Sequence, residues 1–173
     1  MLVKTFGGAV NGIDARIITV ETDIVSGVNF FLVGLPDSAV KESQQRIESA
    51  LRTVGYQLPG RKITINMAPA DIRKEGTAYD LTLAIGILAA SKQIQSENVD
   101  KYIMMGELSL DGGVHRIKGA LSMAIEARKF GFKGFILSIL GFKSDSILDS
   151  IHFVCMSLKL SLDISHVVSH STS

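Results

Sequence analysis

β-Branched and aromatic residues crowd two early runs, ARIITVETDI (15–24) and VNFFLVGL (28–35). Both predict strands, paired across the short VSG link, with residues 2–7 beside them. The pattern then changes period. In LPDSAVKESQQRIESALRTVGY, residues Val40, Ile47, Leu51 and Val54 fall on one helical stripe, with Asp37 or Ser38 placed to cap the start and Gly55 the end. RKITINMA (61–68) predicts a strand stopped by Pro69, and YDLTLAIGILAAS (79–91) is apolar nearly all round, which predicts a buried central helix. KYIMMGELSL (101–110) and VHRI (114–117) flank an Asp-Gly turn and predict a hairpin. A helix over 119–131 and a strand over 133–137 follow. The order β-β-β-α-β-α-β-β-α-β predicts an α+β fold of mixed α/β layers, a mixed sheet covered by helices.

After Leu137 the pattern breaks. Residues 138–173 are rich in Ser and hold three of the four histidines and the single cysteine, Cys155. Strict alternation in MSLKLSLDIS predicts an edge strand over 156–165, and the terminal SHSTS reads as a disordered end. The division expected is one domain over 1–137 and a divergent or frame-shifted tail over 138–173.

Composition narrows the function classes. With 46% apolar and 20% charged residues in 173, the chain suits one soluble domain with a real core. Eighteen Lys and Arg against seventeen Asp and Glu give a net charge of +1, so no whole-chain field would gather nucleic acid or an anionic membrane. No run is apolar enough to span a bilayer and the N-terminus has no signal-peptide core, so a cytoplasmic location without membrane contact is expected. A lone cysteine and scattered histidines (His115, His152, His166, His170) give no metal-ligand spacing.

Candidate chemistry concentrates in APADIRKEGTAYDL (68–81). Thr77 and Asp80 have the T-x-x-D spacing of a capping box ahead of the apolar helix, a purely structural use. Arg73 and Lys74, on the approach to that helix, are candidate contacts for an anion or a partner. Asp71 and Tyr79 have no histidine nearby in sequence and receive no catalytic role. GGAVNG (7–12) reads as a turn. Arg46, Arg52, Arg61, Lys62, Arg73 and Lys74 could share a basic surface for a nucleic-acid backbone, although solvated helix faces account for them as well. No G-x-x-x-x-G-K-[ST] occurs in the chain.

Three segments carry a family resemblance: GLPDSAVKESQQRI (34–47), ITINMAPADIRKEGTAYDLTLAIGILAAS (63–91) and GELSLDGGVHRIKGALSMAIEARKFGFKGFIL (106–137). They resemble the N-terminal domain of the magnesium-chelatase-like AAA+ ATPases, the family that includes bacterial competence protein M. The resemblance implies a Lon-protease-like, ribosomal protein S5 domain 2-like fold. Gly106, Glu107, Leu108, Leu110, Gly112, Val114, Ile117 and Gly119 match its hairpin and the start of the following helix.

In Lon-like proteases a serine nucleophile and a lysine base occupy the positions that hold Ala78 and Leu121 here. Neither side chain can attack a carbonyl or take a proton, and Thr77 and Lys118 lie one and three positions away. The resemblance therefore implies a non-proteolytic accessory domain, with no catalytic or cofactor-binding residue in this chain. It also implies that the complete protein is an ATP- and magnesium-dependent motor. That motor would carry its AAA+ module in the same chain, assemble as a homo-hexamer and act on DNA, by branch migration in natural transformation. The alternatives are a residual Lon-like serine peptidase and a stand-alone nucleic-acid-binding module.

Overall fold

The computed structural model describes residues 1–138, except 13 and 96, and the backbone of His152–Cys155. The predicted edge strand at 156–165 lies outside the described residues. Strands β1 (Leu2–Asn11), β2 (Asp14–Val25) and β3 (Phe30–Val33) lead to helices α1 (Ser38–Lys41) and α2 (Ser43–Thr53). Strand β4 (Lys62–Ala68), helix α3 (Asp80–Ala90), strand β5 (Tyr102–Met104) and the short strands β6 (Glu107–Leu108) and β7 (Val114–His115) follow. Helix α4 (Ala120–Lys129), β8 (Gly134–Leu137) and β9 (His152–Cys155) complete the described elements.

Seven strands form one mixed sheet in the order β3-β4-β2-β1-β5-β8-β9, and β6 pairs with β7 in a separate ribbon. The α+β expectation holds. Alternation sorts side chains to the two faces. Ile18, Val20 and Ile24 of β2 join Ile63, Ile65 and Met67 of β4 in a core that also takes in α2 and α3. Ile103 of β5 and Phe135 and Leu137 of β8 join a second core, which holds Met123 and Ala127 of α4. Helices α2 and α3 therefore cover one face, and α4 covers part of the other.

Every residue of α3 is buried, as its all-round apolar composition predicts. Gly86 makes close docking possible, since a Cβ there would lie 2.7 Å from the Thr22 hydroxyl oxygen. On the opposite face, Gly8 of β1 does the same for α4: a Cβ would stand 1.7 Å from the Met123 sulfur.

Four local expectations change. The runs 15–24 and 28–35 do not pair with each other, because β4 lies between them, antiparallel to β2 and parallel to β3. Gly27 makes room for the inserted strand, its Cα facing Lys62 so closely that a Cβ would stand 2.9 Å from the lysine's own Cβ. The helix expected to start at a cap on Asp37 or Ser38 is interrupted at Glu42, and Asp37 caps its first part by accepting from the Val40 N–H at 2.8 Å. GGAVNG belongs to β1 through Asn11, and only Gly12, with φ +62°, makes the turn. The run 101–110 divides between β5 in the main sheet and β6 in the ribbon, whose strands are joined by the loop 109–113.

Candidate functional site

A cleft of about 1550 Å³ opens between the end of the β1–β2 hairpin, the loop 71–79 and the start of α4. The loop forms one wall, and its shape is fixed from segment 35–37. Lys74 pairs through its backbone with Leu35 and Asp37. The Asp37 carboxylate, already capping α1, also accepts from the Gly76 N–H at 3.0 Å. These bonds hold the loop without regular secondary structure.

Helix α3 starts at the back of the cleft without a side-chain cap. Its early Leu81 N–H instead donates to the Gly106 carbonyl at 3.0 Å, and the Gly106 N–H returns to the Ala78 carbonyl at 2.9 Å. This exchange satisfies a donor that every helix start leaves open. The predicted Thr77–Asp80 capping box is therefore absent. The Thr77 hydroxyl donates to the Glu107 carboxylate. Asp80, 1% exposed, accepts from Arg46 through Nε at 2.7 Å and Nη2 at 2.9 Å, and from the Leu108 N–H at 3.2 Å. Burial raises the Asp80 carboxyl above its ordinary range against the opposing pull of Arg46.

Ala78 and Leu121 both line the cleft, together with Thr77, Glu107 and Lys118. Ala78 is half-buried in the second core, whereas Leu121 is 75% exposed on α4. Neither carries an atom able to form or break a bond with a substrate carbonyl. Tyr79 also lines the cleft, its phenol held well above the ordinary range by burial and by Asp37 and Glu75. A group so reluctant to ionise has no use as a base near neutral pH.

The structure separates Arg73 from Lys74. Arg73 is exposed on the cleft rim, paired with Glu75 at 3.1 Å. Lys74 is fully buried and its ammonium donates to the Pro69 carbonyl. The wider basic set is dispersed as well. Arg46 is committed to Asp80, and Lys62 lies over the Phe31 ring with Nζ 5.4 Å from its centroid. Lys62 begins β4 while Arg73 and Lys74 follow its end, so these cations stand at opposite ends of that strand. No sequence signal marked Arg46 or Glu107 as local partners of the 77–80 segment, because both contacts span about thirty residues.

Burial lowers the Lys74 pKa, with Asp71 opposing. The unfolded chain then binds more protons than the folded one between the lowered value and the ordinary 10.5. Stability contributed by this residue consequently rises with pH across that window. Lys74→Met should be at least as stable as the wild type near neutral pH, and the alkaline rise should shrink. Urea denaturation at neutral and alkaline pH checks this, the decisive quantity being the difference between variant and wild type.

Residues 20–140 match the family described as subunit ChlI of Mg-chelatase. The chain belongs to the magnesium-chelatase-like family. It is 48% identical over 123 residues to the uncharacterized protein YifB of Escherichia coli, a match covering 70% of this chain and 24% of that protein. Competence protein ComM of Haemophilus influenzae is 39% identical over 129 residues, covering 74% of this chain and 25% of its own length. Lon protease 2 of Bacillus subtilis is 32% identical over 100 residues, covering 58% and 18%. The chain thus corresponds to about a quarter of the length of YifB and ComM.

The chain has no phosphate-cradling G-x-x-x-x-G-K-[ST]. Among the described residues no three His, Cys, Asp or Glu side chains gather where they could hold a metal ion together. No described helix is long and apolar enough to cross a membrane.

Proposed function

We propose that this chain is the non-proteolytic accessory N-terminal domain of a magnesium-chelatase-like AAA+ ATPase. The complete protein would be a cytoplasmic homo-hexameric motor that uses ATP and magnesium to migrate DNA branches during natural transformation. The observation that carries this reading is the ChlI-family match over 20–140 together with the similarity to ComM, whose name links it to competence. ATP would bind outside this domain, in an AAA+ module of the same polypeptide. The cleft supports the non-proteolytic part: Ala78 and Leu121 stand on it with a methyl and an isobutyl group, where acyl transfer would need a nucleophile and a proton acceptor.

Sequencing the gene from about codon 130 and translating all three forward frames is the first test. A downstream G-x-x-x-x-G-K-[ST] is expected, and its absence from every frame would overturn the single-chain arrangement. The product of the continuous gene should then hydrolyse ATP faster with branched DNA and move the branch point. ATP hydrolysis indifferent to DNA would refute the motor role. Cleavage of an unfolded protein by the present chain, abolished by Thr77→Ala, would favour the peptidase alternative.

A further inference from the structure

The run GGAVNG ends in an Asn-Gly step that no part of the reading above uses. Asn11 closes β1, opposite Asp14 in the last pair of the β1–β2 ladder, and Gly12 makes the turn at φ +62°. Both residues are exposed, and both line the mouth of the cleft. Among the described residues, neither the Asn11 carboxamide nor the Gly12 N–H has a hydrogen-bond partner. A Cβ on Gly12 would meet nothing within 4 Å, so the space beside its nitrogen is open. The last pair of a ladder also opens locally at small cost.

An asparagine carboxamide is attacked by the backbone nitrogen of the following residue when nothing crowds the approach, and a glycine, with no side chain, crowds it least. The chain has four asparagines, and the other three, Asn29, Asn66 and Asn98, precede Phe30, Met67 and Val99. Two of these are also tied. Asn66 donates to Glu21 at 3.0 Å, and Asn98 accepts from Lys101 at 2.6 Å. The Asp111-Gly112 step in the ribbon loop offers the same backbone chemistry, but its groups are occupied. The Asp111 carboxylate accepts from the Ser109 hydroxyl and from the Gly113 N–H at 3.3 Å, and the Gly112 N–H donates to the Ser109 carbonyl at 3.0 Å. Only at Asn11 do a small neighbour, exposure and free groups coincide.

We infer that Asn11 is a site of spontaneous modification, deamidating through attack by the Gly12 nitrogen. That nitrogen gives up its proton and bonds to the Asn11 Cγ, the carboxamide C–N bond breaks, and ammonia leaves with a proton, closing a succinimide. Water, the sole co-reactant, then opens the ring. Opening at Cγ gives Asp, and opening at the main-chain carbonyl gives isoaspartate, which lengthens the β1 backbone ahead of the turn. Either product sets a carboxylate opposite Asp14, and like charges facing each other across a ladder weaken the pairing. The hairpin end at the cleft mouth would thus change charge with the age of the protein, whatever the complete protein does. The whole chain would be incubated at physiological temperature, at neutral and at mildly alkaline pH. Digests would be followed by mass spectrometry with Asp and isoaspartate separated. Asn11 should convert about tenfold faster or more than Asn29, Asn66 and Asn98, a ratio that a small difference in barrier gives. Both products should form, and faster at the alkaline pH. Gly12→Ala should slow the reaction by a similar factor, and a parallel series in urea reads that slowing free of any effect of the variant on the hairpin. The inference is overturned if Asn11 in the folded chain converts no faster than the other three asparagines, or converts only in urea. Asp formed without isoaspartate, or a rate unchanged in Gly12→Ala, would also overturn it, by showing direct hydrolysis of the carboxamide.

Discussion

Asp80→Ala should remove about 3–5 kcal/mol of stability, the scale of breaking a buried ion pair from one side. The substitution leaves the Arg46 guanidinium, only 19% exposed, facing an apolar methyl group, and it strips the Leu108 N–H of its acceptor. A folded domain holds only about 5–15 kcal/mol in total, so the loss would be a large part of it. Arg46→Ala should be costly in the same way, since it strands a carboxylate that is 1% exposed. The double substitution should cost clearly less than the sum. Removing both charges together ends the cost of burying the Asp80 carboxylate and leaves neither charge stranded without its partner. Replacing both with Met and Leu should therefore recover part of the loss. Urea denaturation of the four proteins of the cycle measures the coupling, and strictly additive losses would show that the two residues act independently.

This pair also shows where sequence reading stops. Arg46 looks like one more cation on the polar side of α2, and Asp80 looks like half of a capping box. Both assignments follow from local spacing, and both fail because the true partners lie 34 residues apart. The same limit explains β2 and β3. Their strand character is local and legible, whereas the insertion of β4 between them depends on a crossover through α1 and α2 that no short window contains. Lys74 is the clearest case, since a lysine letter in a polar loop gives no hint of full burial.

What composition could decide, it did decide. Helix α3 is buried on every side because it offers almost no polar side chain to water, and Val40, Ile47 and Leu51 are buried although a break at Glu42 divides their helix. The cleft was legible only in part. The motif from Ala68 to Leu81 marked its wall, and the Lon-like resemblance pointed to Ala78 and Leu121. The exposed Leu121 and Ile125 stripe reads in sequence as an ordinary amphipathic helix, because burial of α4 depends on which half of the sheet face it covers.

Gly34→Ala should be comparably damaging, by about 3–5 kcal/mol, for two separable reasons. Its φ of +99° is a conformation that residues with a Cβ rarely adopt. A Cβ built there would also stand 2.0 Å from the Met67 carbonyl oxygen, a backbone atom of β4 that cannot rotate away. Gly55→Ala separates the two contributions. Gly55 has a similar φ of +86°, and a Cβ there would meet nothing within 4 Å, so its substitution should cost only about 1 kcal/mol, the conformational part. The difference between the two variants measures the collision. Relief of that collision must move β3 away from β4 or shift segment 35–37, and Leu35 and Asp37 hold the backbone of Lys74 in the cleft wall. Amide hydrogen exchange at Lys74 and Gly76 should therefore accelerate in Gly34→Ala and stay unchanged in Gly55→Ala. Equal stability losses in the two variants, with no change in exchange along the loop, would show that the contact with Met67 is readily relieved and that the cleft wall does not depend on the edge strand.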